Sequence, residues 1–170
     1  MPLPLLYLDI DGPLIPFGEP PRDAPDPAPV SDWHVGANPL VTRLDPGLGR
    51  LLSSLPCELV WATTWMHEAN HVVGPLLGLP VLTVVEWRDR PDDPIDAWFG
   101  LHWKTRGLVE HAGGRPFIWI DDELGEQDRE WVSAHHSGRA LLHHVDPRVG
   151  LRHSDFAAVI HWLGTATGTR

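Results

Sequence analysis

The sequence predicts a doubly wound, Rossmann-like α/β fold of about five parallel strands, with helices on both faces and no large cap domain. Three observations predict it. Short apolar runs recur along the 170 residues, several end in acidic or hydroxyl side chains, and segments with helical apolar spacing lie between them. At 42% hydrophobic residues, a single domain over 1–170 accommodates the pattern.

The run Leu5 to Leu8 ends in acidic residues and glycine, as a buried parallel strand feeding a loop would. From Pro13 to Pro46 the density of proline and aspartate excludes a helix or central strand and predicts a long flap or loop with one short hairpin. Gly47 to Leu55 has helical apolar spacing, and Leu59 to Ala62 follows as a strand ending in Thr63-Thr64. Met66 to Leu77 is predicted as the next helix, stopped by Gly78 and Pro80, with the β-branched run Val81 to Val85 as strand three. Glu86 to Leu101 carries Pro91, Pro94 and several aspartates and is predicted as a loop. It delivers Trp103-Lys104 to a helix that closes near Ala112, before Gly113-Gly114. Phe117 to Ile120 is a fourth apolar strand ending in Asp121-Asp122. A helix at Glu126 to Ala134, a strand at Ala140 to Val145 and a helix from Ser154 to Leu163 complete the pattern, without an internal repeat.

Composition narrows the partners. A formal net charge of −10 argues against nucleic acid or an anionic membrane, because such partners reward cationic surfaces that release counterions. The single cysteine, Cys57, cannot form an intramolecular disulfide, and MPLPLLYLD has no basic stretch ahead of its apolar run. No apolar stretch approaches the roughly 20 residues of a spanning helix. A cytoplasmic location is expected.

In an open parallel sheet the site lies outside the carboxyl ends of the strands. Strand one ends in Asp9 and Asp11, strand two in Thr63, and strand four in Asp121 and Asp122, while Lys104 comes from a helix start between strands three and four. Carboxylates gathered this closely repel one another unless cations offset them. Mg²⁺ together with Lys104 would do so, and Mg²⁺ takes oxygen ligands while leaving room for waters and a substrate phosphate.

LYLDIDGPL, WATTW, HWKTRGL and IWIDDE resemble the four ordered motifs of the haloacid dehalogenase (HAD) phosphohydrolases, and the resemblance spans the chain. It implies a Mg²⁺-dependent phosphatase that hydrolyses a phosphate monoester. By that resemblance Asp9 is the nucleophile, forming an aspartyl-phosphate, and a metal ligand; Asp11 is the general acid/base, with its backbone carbonyl on the metal. Thr63 and Lys104 would hold and stabilise the phosphoryl group, with Gly12 in the substrate loop and Thr64 as the alternative to Thr63. Asp122 is expected as the direct or water-mediated metal ligand and Asp121 as its orienting neighbour, with the exchanged roles also open. Neither interval that carries a cap in this family is long enough here for a large folded insert. An open site follows, with a small phosphorylated metabolite as the leading substrate, polynucleotide-end or phosphoprotein phosphatases as alternatives, and a homo-oligomer left open.

Bland readings accompany each residue: Asp11-Gly12 as a turn, Thr63, Thr64 or Asp121-Asp122 as helix caps, Lys104 as a solvated lysine. The 11 histidines show no His-Glu-x-x-His spacing and are expected on the surface or in packing. Of the nine tryptophans, Trp61 and Trp119 are expected in the core, and Trp65, Trp87, Trp98 and Trp103 beside the site, packing its rim or stacking on a flat substrate group. A receiver-type phosphoacceptor domain would need its aspartate at the end of strand three, where the sequence has only Glu86. An idle HAD-like binding module is disfavoured by retention of both Asp9 and Asp11.

Overall fold

The computed structural model describes residues 2–19, 39–87 and 94–166. Five parallel strands form one sheet: β1 (Leu5–Leu8), β2 (Glu58–Trp61), β3 (Thr83–Val84), β4 (Phe117–Asp121) and β5 (Ala140–His144), in the order β3-β2-β1-β4-β5. The chain winds from β1 out to one edge, then crosses to β4 and β5 on the other side. Alternate side chains of the strands enter two cores. Leu6, Leu8, Trp61, Ile118 and Ile120 pack under α1 (Gly47–Ser53), α2 (Glu68–His71), α3 (Val73–Leu77) and α7 (His153–Ala166). Leu5, Tyr7, Val60, Phe117 and Trp119 pack under α5 (Thr105–Ala112) and α6 (Glu126–His135). The doubly wound architecture is therefore present, and no folded cap insert occurs among the described residues.

Differences from the sequence reading are local and have physical causes. The helix expected over Met66–Leu77 is two short helices, broken at Val72. Pro75 has no N–H to offer the His71 carbonyl four residues back, and its ring would crowd that carbonyl. Strand three is reduced to Thr83–Val84, because the Asn70 side chain takes both backbone groups of Leu82, accepting its N–H at 2.9 Å and donating to its carbonyl at 2.9 Å. The loop before Lys104 contains a short helix, α4 (Pro94–Trp98), tied to α5 by the bidentate Arg106–Asp96 pair at 2.7 and 2.6 Å. In the proline-rich stretch, Pro39–Arg43 forms a 3-10 helix; the expected hairpin is not seen among the described residues, and 20–38 lie outside them. Gly49 lets α1 lie directly on α3, since a Cβ there would meet the Leu77 carbonyl oxygen at 1.7 Å.

Candidate active site at the carboxyl ends of β1 and β4

Register brings the site together. Leu8 pairs with Ile120 on one side and Trp61 on the other, so Asp9, Asp121 and Ala62 follow at one level, with Thr63 a residue further on. This is where the winding direction reverses, the crevice in which open α/β sheets bind ligands.

Lys104 is the centre of the charge arrangement. It stands just before α5, is 2% exposed, and its Nζ lies 2.8 Å from Asp9 Oδ2 and 2.8 Å from Asp121 Oδ2. Burial alone would lower its pKa, but the two carboxylates offset that and leave it above the ordinary lysine value. The carboxylates respond in opposite directions. Burial would raise Asp121, yet the Lys104 ammonium, with His102 and the Glu123 N–H, holds it below the usual carboxylate range. Its Oδ2 also accepts the Trp119 indole N–H at 3.1 Å, and its Oδ1 accepts the Glu123 N–H at 3.0 Å. Asp9 has fewer donors, Lys104 and the Ile10 N–H at 2.8 Å, so burial prevails, assisted by the charge of Asp121, and pushes it up to about 7. Asp122, half-buried, is pushed up to about 6 by burial and by the charges of Asp121 and Glu123.

Carboxylate oxygens of Asp9, Asp121 and Asp122 lie within 4.8 Å of one another. One ammonium among them leaves the cluster short of positive charge, which adds to the burial that chiefly raises Asp9 and Asp122. An oxygen-only donor set with an excess of negative charge fits a hard divalent cation. A second group, His102, Asp121 and Glu123, is already internally paired: His102 Nδ1 accepts the Lys104 N–H at 3.1 Å and Nε2 pairs with Glu123 Oε2 at 3.1 Å.

The loop after β1 is a tight turn. The Gly12 N–H donates to the Ile15 carbonyl at 3.0 Å, and Gly12 has φ +90°. A Cβ at Gly12 would lie 2.5 Å from Asp122 Cγ, so glycine is required both by backbone sign and by the approach of the two loops. Asp11 Oδ2 accepts the Trp65 indole N–H at 2.9 Å. Thr63 is wholly buried and its Oγ1 accepts the Trp65 backbone N–H at 3.3 Å, whereas Thr64 is exposed. Between the threonines and α2, Met66 holds φ +49°, a strained value for a residue with a side chain.

Three contributions to the structure of the site are not visible in the sequence. The sequence predicts Trp65 beside the site, but nothing in its spacing shows that its indole reaches Asp11 across 54 residues of chain. Asp128, 1% exposed, accepts the His102 N–H at 2.8 Å, the Thr105 hydroxyl at 2.6 Å and the Gly125 N–H at 2.9 Å, and so ties the segment carrying Lys104 to the start of α6. Its position as the third residue of α6 is the one signal that could have marked it as a cap. Trp87 donates its indole N–H to the Thr63 carbonyl at 3.0 Å, fixing the end of strand two. As expected, Trp61 and Trp119 are core residues.

The family described as the HAD domain in Swiss Army Knife RNA repair proteins matches residues 5–156. No curated protein and no solved structure gives a match. Among the described residues, no helix is long and apolar enough to cross a membrane.

Proposed function

Because the chain belongs to the HAD superfamily, within the family of HAD domains in Swiss Army Knife RNA repair proteins, we propose that it is a divalent-metal-dependent phosphatase acting on a phosphate monoester at an RNA end. The observation that carries the reading is the buried Lys104 ammonium held 2.8 Å from both Asp9 and Asp121 at the carboxyl end of the central strand. It supplies a fixed positive charge beside a carboxylate nucleophile, the arrangement that phosphoryl transfer needs most.

Asp9 attacks phosphorus through a carboxylate oxygen; the bond from phosphorus to the leaving oxygen breaks and Asp11 gives that oxygen its proton. In the second step water attacks the aspartyl-phosphate, Asp11 takes the water proton, and the bond from phosphorus to Asp9 breaks. Trp65 holds the Asp11 carboxylate for both transfers. Asp9, Asp122 and the Asp11 backbone carbonyl would hold Mg²⁺, which when bound offsets charge on the phosphoryl oxygens. Asp121 orients Lys104 from behind; its oxygens are already occupied by donors, which favours Asp122 over Asp121 as the direct ligand. Thr63 donates its hydroxyl to a phosphoryl oxygen, its own oxygen being engaged by the Trp65 N–H. Thr64, exposed one residue on, is the alternative, and parallel Thr63→Val and Thr64→Val variants separate the two. Gly12 admits the phosphate and Asp122 to the same corner.

The RNA-repair family changes the weight given to charge. A formal net charge of −10 disfavours binding along a phosphodiester backbone. A terminal phosphate demands only a local cationic site, which Lys104 and a divalent ion provide. The small-metabolite reading remains the second one, favoured by that same net charge. The proposed enzyme is a single domain over 1–170, without a large cap, acting in the cytoplasm. Phosphate release from end-phosphorylated oligoribonucleotides and from small phosphate esters, in parallel with Mg²⁺, tests the reading: faster turnover of the RNA end is expected, and turnover confined to small esters would replace the first reading with the second.

A further inference from the structure

We propose that Trp103 is a stacking platform for a nucleobase adjoining the scissile phosphate, an inference that rests on the phosphatase reading above and names how its substrate is recognised. Trp103 is 41% exposed, and its ring centroid lies 5.5 Å from the same Lys104 Nζ that contacts Asp9. The ring is therefore one short step from the place where the phosphate would sit, about the span of a sugar.

The ring is also held in the open. Trp87 meets it edge-on, with centroids 4.9 Å apart and planes at 71°, and Trp87 is itself pinned to the Thr63 carbonyl. His102 also stacks against it, with centroids 5.7 Å apart and planes at 27°. His102 is fixed by the Lys104 N–H and Glu123, and its ring meets Trp119 at 5.4 Å, whose indole donates to Asp121. The aromatic wall is thus anchored at one end to Thr63 and at the other to Asp121, both residues of the site.

An indole free to turn would cover its own apolar surface; the braces hold the ring in place beside Lys104, with Trp103 still 41% exposed. A rigid aromatic surface loses little freedom when a flat partner stacks on it. Base stacking also requires no cationic groove, so it suits a chain of formal net charge −10 that gains little from the electrostatic term of RNA binding.

The test compares wild type, Trp103→Ala and Trp103→Phe on adenosine monophosphate and on glycerol phosphate, with calorimetric binding of adenosine as a readout that needs no turnover. The ratio of kcat/KM for the nucleotide to that for glycerol phosphate should fall about tenfold or more in Trp103→Ala, carried by KM, with adenosine binding weakened in parallel and Trp103→Phe retaining most of both. An unchanged ratio, an equal loss on both esters, or a loss that phenylalanine does not rescue would overturn the platform. If wild type hydrolyses neither these esters nor an end-phosphorylated oligoribonucleotide, the phosphatase reading fails by itself, and adenosine binding alone decides the platform: weaker binding in Trp103→Ala supports it, unchanged binding rejects it.

Discussion

The indole N–H of Trp65 donates to Asp11 Oδ2 at 2.9 Å, joining the loop after β2 to the loop after β1. The residue proposed to move protons is thereby held by a group that carries no charge and does not itself titrate. Trp65→Phe keeps the ring but removes the donor. Turnover should fall on the order of tenfold to a hundredfold, with KM little changed. The loss should be larger for an alkyl phosphate, whose leaving oxygen needs the proton, than for p-nitrophenyl phosphate, whose leaving group does not. Equal losses on both substrates would assign Trp65 to packing alone.

Gly12→Ala combines a disfavoured φ of +90° with a Cβ 2.5 Å from Asp122 Cγ. We expect a destabilisation of about 1–3 kcal/mol in denaturant unfolding and weaker Mg²⁺ binding by calorimetry. Wild-type values in both would show that the two loops are not in contact.

Removing Asp128 leaves three donors without their shared acceptor, the Thr105 hydroxyl in a buried setting and the His102 and Gly125 N–H groups in part-buried ones. Asp128→Ala should cost about 2–4 kcal/mol of stability, since each stranded buried donor costs about 1–3 kcal/mol and relaxation recovers part. Turnover of the surviving folded protein should fall as well, because the segment carrying Lys104 loses its anchor. Unaltered unfolding midpoints would contradict this role.

Much of this was legible in the sequence, and what was not has a common cause. The strands Leu5–Leu8 and Phe117–Asp121 are buried on both faces and write themselves as unbroken apolar runs with carboxylates at the end. The β-branched run Val81 to Val85 predicts a longer third strand than Thr83–Val84, because it does not show that Asn70 takes the backbone of Leu82. The carboxylates, Thr63 and Lys104 carry recognisable spacing. Trp65, Asp128 and the braces of Trp103 act through contacts between distant segments, and no local pattern announces a partner far along the chain.

Folded-state pKa values raised above the ordinary 3.8, to about 7 for Asp9 and about 6 for Asp122, set the pH dependence of metal-free stability. The stabilising contribution of a raised acid is fully present below its unfolded pKa and is lost as pH rises through the folded one. These two groups should therefore lower the Tm of metal-free protein between about pH 4 and pH 7, against the opposite contribution of His111 and His136, whose values burial lowers; Asp9→Asn should remove part of the fall. A bound cation favours the ionised carboxylates, so Mg²⁺ should raise Tm more at pH 8 than at pH 5. A Mg²⁺ effect independent of pH would place the ion elsewhere.

In the proposed reaction Asp9 receives the phosphoryl group. Acid-quenching the enzyme during turnover of an end-phosphorylated oligoribonucleotide with Mg²⁺, followed by mass mapping, tests it directly. One phosphoryl group on Asp9 is predicted, absent after chelation and absent in Asp9→Asn, whose turnover should fall on the order of 10⁴-fold or more. A phosphoryl group on another residue, or undiminished turnover in Asp9→Asn, would contradict the account.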